Sequence, residues 1–151
     1  MAEDKLSWCF NNKKRMLLEK PKEHLSESYM KEADETFESM AKIKGKWKAI
    51  MGYYSCYNAL YSVLIKCGIM SENHECSIEA MKILGFEEEF IDFMRKMKQK
   101  RIDAQYYLKD VESENDNKVK EFISECKKFL VIMNDAKVER IREQIKELMK
   151  W

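Results

Sequence analysis

Proline and glycine are nearly absent, with one proline and four glycines in 151 residues. A β-rich protein needs many turns and turns draw on those two residues, so their scarcity excludes a sandwich or barrel and favours a few long helices. Also missing is any run near the roughly 18 apolar residues of a membrane span. The opening MAEDKLSWCFNN lacks the apolar centre of a signal peptide, which predicts a cytoplasmic protein with no membrane role. There is no excess of one charge: 28 Lys and Arg stand against 27 Asp and Glu, a net +1, although 36% of residues are charged. That balance describes an ion-paired surface and confines any nucleic-acid site to a local patch. No Gly-rich phosphate loop, GxSxG elbow or HExxH occurs, so the familiar hydrolase and nucleotide-fold classes find no support.

The five cysteines, Cys9, Cys56, Cys67, Cys76 and Cys126, are odd in number and never spaced as CxxC. Scattered over different predicted helices, they fit a reducing compartment. Cys67, His74 and Cys76 come nearest to a metal set but lack a fourth ligand at suitable spacing, so no metal and no other cofactor is expected.

What is present is helical periodicity. The stretch KWKAIMGYYSCYNALYSVLIKCG, from Lys46 to Gly68, is apolar and aromatic almost all the way round a helix, which places it inside a bundle. Tyr53, Tyr57 and Tyr61 recur at four-residue steps along one face with Tyr54 beside them, and each buried hydroxyl needs a partner. Around this helix the chain divides into a strap over residues 1–21, a bundle over 22–135 and a terminal helix over 136–151. The expected architecture is all-α: an antiparallel up-and-down bundle of four to five core helices with extra segments at both ends. Within it, an amphipathic helix runs from about Lys22 to Ile43. Gly68-Ile69 is expected to close the central helix, and Ser71 to cap SENHECSIEAMKIL. A long helix then reaches about Leu108, with Phe90, Ile91, Phe93, Met94, Met97, Ile102 and Tyr106 inward. Residues 110–117 read as a loop, and 118–133 as a further helix. The narrow apolar stripe Val138, Ile141, Ile145, Leu148 and Met149 marks a last helix that packs at the bundle edge or zips onto a partner.

Three pieces, in order, resemble the HEPN family of small prokaryotic helical bundles. MGYYSCYNALYSVL is similar to that family's AYYAxYxAxxALL helix, NHECSIEAM to its short His-bearing segment, and KRIDAQYYL to its late Arg-x-x-Ala-x-Tyr element. The resemblance spans about Ser28 to Met133, and the Trp-containing leader before a proline, Trp8 and Pro21 here, is similar to that of archaeal members. It implies a homodimer with the Arg-bearing helices facing across a cleft, RNA or a nucleotide as ligand, and a minimal nucleotidyltransferase as partner in a toxin–antitoxin pair. Members that cut RNA, without a metal, carry Arg, four to six residues, then His. Carried over, the Arg is Arg101, and the His window falls on Tyr106, Tyr107 and Leu108. A tyrosine, with a pKa near 10, is a poor general base at neutral pH, which argues against ribonuclease activity of the usual kind.

Arg101 is therefore the principal candidate, a planar fork suited to phosphate or carboxylate; the competing reading pairs it with an acid on a neighbouring helix, or across the dimer, for structure alone. His74 opens a short helix and is a candidate to stand in for the missing histidine beside Arg101 and Tyr106, against the reading of a surface or capping residue. Asp103, Tyr107, Tyr54 and Lys98 complete the candidate ligand-binding set. Lys98 shares a side with Arg95 and Arg101, a possible phosphate-tracking stripe whose ordinary counterpart is a solvated face. The tyrosines of the central helix are most simply core rings, although aromatic faces also stack bases. Beside the ligand-binding function stands a second one, a non-catalytic dimerising scaffold for the nucleotidyltransferase.

Overall fold

A computed structural model describes residues 5–149. In chain order the elements are α1 (Lys5–Phe10), β1 (Met16–Leu18), α2 (Glu23–Met40), α3 (Lys46–Lys66), β2 (Ile69–Ser71), α4 (His74–Glu79), α5 (Met81–Leu84), α6 (Glu88–Tyr106), α7 (Asp116–Ile132) and α8 (Asp135–Leu148). The all-α bundle is as expected. Helix α3 is its axis, packed by α2, α6 and α7, and it buries residues all along its length, from Ala49 to Ile65.

Close approach to the axis depends on small residues. Ala33 on α2 is fully buried, and Ser55 of α3 donates to its carbonyl at 2.9 Å. A Cβ added at Gly52 would sit 3.2 Å from both Met40 Sδ and Met97 Cε, so α2 and α6 close on α3 where a side chain is missing. Phe86, Phe122 and Phe129 stack to seal α7 over the junction between α5 and α6, with Phe86 and Phe129 centroids 4.1 Å apart.

Several details differ from the sequence expectation. The strap is partly helical and then extended: β1 pairs antiparallel with β2, Met16 opposite Ser71 and Leu18 opposite Ile69. Ile69 is thus a strand residue. Ser71 lies in the same strand and caps no helix; Asn73 caps α4, its side chain accepting from the Cys76 amide at 3.0 Å. Ser71 instead donates to the Asn73 carbonyl at 2.9 Å. Helix α6 ends at Tyr106, and Tyr106 is exposed, not inward. Helix α8 packs at the bundle edge in contact with α1 and α5 and buries Val138, Ile141 and Ile145, while Met149 of its stripe is 41% exposed.

The cysteines need the largest correction. Cys9 and Cys76 form a disulfide that joins α1 to α4, while Cys56, Cys67 and Cys126 are free and buried. Burial pushes the Cys56 and Cys67 thiols up, Cys67 to about 11, so both stay protonated and inert. Among the described residues no helix is long and apolar enough to cross a membrane.

Candidate functional site

The site is built where α3, α4 and α6 meet. On α6 the buried positions are Ile91, Met94, Met97, Arg101 and Ala104, a run of three- and four-residue steps. Arg101 therefore occupies a core position in an apolar stripe, and only 8% of it is exposed. Its Nη1 donates to the Tyr54 hydroxyl at 3.0 Å and reaches the Gln105 side-chain oxygen at 3.5 Å. Its Nε is buried with no hydrogen-bond partner. Among the described residues no carboxylate is within ion-pair distance of the guanidinium, so it is not paired with an acid on a neighbouring helix of the same chain. Aromatic faces surround it instead: its Cζ lies 5.1 Å from the Tyr53 ring centroid and 5.6 Å from those of Tyr54 and Tyr106.

His74 approaches through the same tyrosines. Its Nδ1 is 2.7 Å from the Tyr53 hydroxyl, and its ring stacks on Tyr57 at 4.0 Å between centroids. Partial burial, together with the nearby charges of Arg101 and Lys98, lowers its pKa from 6.5 to about 4, so the ring is neutral at physiological pH. Burial also raises the Tyr53 pKa, and that phenol keeps its proton. The remaining α3 rings are satisfied as buried hydroxyls must be: Tyr57 bonds Ser77 at 2.8 Å, and Tyr61 accepts from the Ser71 amide at 3.0 Å.

Of the candidate residues, Arg101, Tyr54, His74 and Tyr106 are brought together. The others are not. Lys98 is bound to Glu75 at 2.8 Å, and Arg95 is held by Glu75 and Glu79. Asp103 accepts from Gln99 at 2.9 Å and leaves the cluster. Tyr107 is 67% exposed, its ring 5.8 Å from Lys109 Nζ. Tyr53 and Gln105 join the site although the sequence reading did not single them out for it. Only Arg101 had a usable signal: counting from Met94 through Met97 to Ala104 puts it on the inward stripe.

Cys76 is committed to its disulfide and is no thiolate donor, and among the described residues no three His, Cys, Asp or Glu side chains are grouped to hold a metal ion. Among the described residues the arrangement is a buried cation without a carboxylate and with its buried Nε donor unused, a neutral imidazole beside it among the tyrosines, and an exposed ring at the rim. Chemically it can take up an anion and donate hydrogen bonds to it. In comparison with known proteins, the chain matches no protein-family model and no curated sequence.

Proposed function

We propose that this chain is a HEPN-like protein that binds the phosphate of a nucleotide or RNA at Arg101, working as a homodimer and as the toxin-like member of a toxin–antitoxin pair with a minimal nucleotidyltransferase. The observation that carries the binding reading is the state of Arg101, a guanidinium buried in an apolar stripe with an idle Nε and no carboxylate. Leaving a charge so placed is costly unless an anion arrives to complete it. Tyr54 holds the fork, and Tyr106 offers a ring against which a base can lie. The dimer and its partner rest on the resemblance alone.

The second reading, a non-catalytic dimerising scaffold, is favoured by a specific feature. No histidine follows Arg101 in the required window, and His74 is already engaged by Tyr53. If RNA is cut here, Arg101 steadies the scissile phosphate while His74 or Tyr106 orients the ribose hydroxyl. The proposed setting is cytoplasmic. Against it stands the Cys9–Cys76 disulfide, since cytosolic thiols are usually kept reduced. Alkylating thiols at cell lysis and mapping that bond by mass spectrometry decides the point.

The test of function incubates purified protein with mixed RNA and with labelled ATP, beside an Arg101→Ala variant of verified helicity. Cleavage or nucleotide retention lost in the variant supports a working site. Neither activity, with a nucleotidyltransferase still captured, leaves the scaffold.

A further inference from the structure

Five basic residues fall within seven positions of α6: Arg95, Lys96, Lys98, Lys100 and Arg101. The other four are held in ion pairs shared among three glutamates, which also take Lys5 and Lys82. Glu75 of α4 takes Lys98 at 2.8 Å and Arg95; Glu79, also on α4, takes Arg95 at 2.8 Å. From the loop after α6, Glu114 folds back to take Lys96 at 2.9 Å and Lys100 at 3.2 Å. Glu79 and Glu114 side chains are only 8% and 10% exposed and Glu75 27%, so the carboxylate side of these pairs is largely shielded from solvent. Burial pushes the Glu75 carboxyl up, but hydrogen bonds from Lys98 and Arg95 outweigh it and hold the pKa at about 2. Glu114 is likewise held below the usual carboxylate range by Lys96 and Lys100 against its own burial. Among the described residues, Arg101 alone in the run has no acid within ion-pair distance.

The geometry points to a site that reads one anionic group, with Glu75 and Glu114 as the residues that determine this specificity by silencing the rest of the basic run. The ligand class is a phosphomonoester carried beside a base: a free nucleoside monophosphate, or the phosphorylated end of an RNA. A chain threaded along α6 would find its successive phosphates facing cations already held by glutamates. Binding a run of phosphates gains affinity by releasing one set of counterions per unpaired cation, and in this run, among the described residues, Arg101 is the one cation without such a pair. Tyr106, 64% exposed and 5.6 Å from the guanidinium, is placed to receive the attached base. Gln105, exposed on the next residue but one to Asp103 and touching Arg101 only at 3.5 Å, is the partner an arriving phosphate displaces.

This inference deepens the phosphate-binding reading and rests on it. The experiment measures binding of AMP, adenosine, and adenylate oligomers of two to six residues with and without a 5′-phosphate, over a range of salt. Expected for the wild type is an affinity that needs the terminal phosphate, changes less than about threefold with length, and falls with salt at a slope near −0.7, the value for one phosphate on a single strand. Glu75→Gln and Glu114→Gln, prepared separately because Glu75 also anchors α4, should each leave AMP binding within about twofold. Each should strengthen hexamer binding about fivefold or more and steepen its salt slope, toward about −1.4 where Glu75→Gln frees Lys98 while Glu79 keeps Arg95, and toward about −2 where Glu114→Gln frees Lys96 and Lys100. Wild-type affinity that climbs with every added nucleotide, or variants that leave the slope unchanged, overturns the single-anion reading while the phosphate site stands. Absence of any binding sensitive to Arg101→Ala overturns the phosphate site itself.

Discussion

Arg101 Nη1 meets the Tyr54 hydroxyl at 3.0 Å across the contact of α3 and α6, the nearest polar partner of a guanidinium that has no carboxylate. An arginine retained for the fold behaves differently from one retained for a ligand. Breaking a buried ion pair costs about 3–5 kcal/mol, because an unpaired charge is left behind. Removing Arg101 leaves no orphaned acid, only a phenol on the half-buried Tyr54. Arg101→Met should therefore be neutral or stabilise the protein by about 1 kcal/mol in urea denaturation, while abolishing phosphate binding. A loss above about 2 kcal/mol would show that the side chain serves the core.

His74 makes acid stability predictable in sign. Its folded pKa of about 4 lies below the unfolded 6.5, so between those values the unfolded chain binds the extra proton. Stability should be level above pH 6.5, decline as pH falls toward 4, and decline further below about 4.5 as Glu75, held at about 2, begins to protonate in the unfolded chain. His74→Gln should flatten the first segment, from 6.5 to 4, and leave the second. Denaturation midpoints across pH 3 to 8 measure both, and an unchanged first segment in the variant would remove His74 as its cause.

Helical periodicity made the bundle readable because each long helix repeats its apolar signal over several turns, as in the run from Tyr53 to Ile65 of α3. Three-residue strands have no room to repeat anything, and β1 against β2 was therefore hidden. Tyr54, His74 and Arg101 were found through resemblance to a known pattern. The glutamates that silence Arg95, Lys96, Lys98 and Lys100 were not, since Glu75 and Lys98 are 23 positions apart and an ion pair at that range leaves no mark on local spacing. The same holds for Cys9 and Cys76.

That disulfide closes a loop over a sequence separation of 67 and ties down two six-residue helices too short to persist alone. Restricting the unfolded chain over such a loop contributes about 4 kcal/mol. The Cys9→Ser, Cys76→Ser double variant should lose about that much, with the largest rise in amide exchange in α1 and α4. Equal stability of the oxidised wild type and the double variant would mean the bond adds nothing to the packing of Leu6 and Phe10.

Gly68 is where the strap, the central helix and the last helix meet, and it offers a comparison with Gly45. Both have positive φ, 75° and 77°, and Gly45, with ψ −158°, lies in a region that essentially only glycine enters, so an alanine there pays about 1–3 kcal/mol in the backbone alone. Around Gly45 an added Cβ meets nothing within 4 Å, whereas at Gly68 it collides with the Glu19 carbonyl oxygen and the Arg142 guanidinium. Arg142 Nη1 donates to the Glu19 carbonyl at 2.7 Å and to the Cys67 carbonyl at 2.8 Å, closing the C-terminus of α3 with a side chain from α8. Displacing it forfeits charged hydrogen bonds that contribute about 1.5–3 kcal/mol each. Gly45→Ala should cost about 1–3 kcal/mol and Gly68→Ala about 3 kcal/mol or more, with a smaller Gly68→Ala loss in an Arg142→Met background, where the clamp is already gone. A Gly68→Ala loss of the same size in both backgrounds would mean that backbone conformation, and not the Arg142 clamp, is what Gly68 provides.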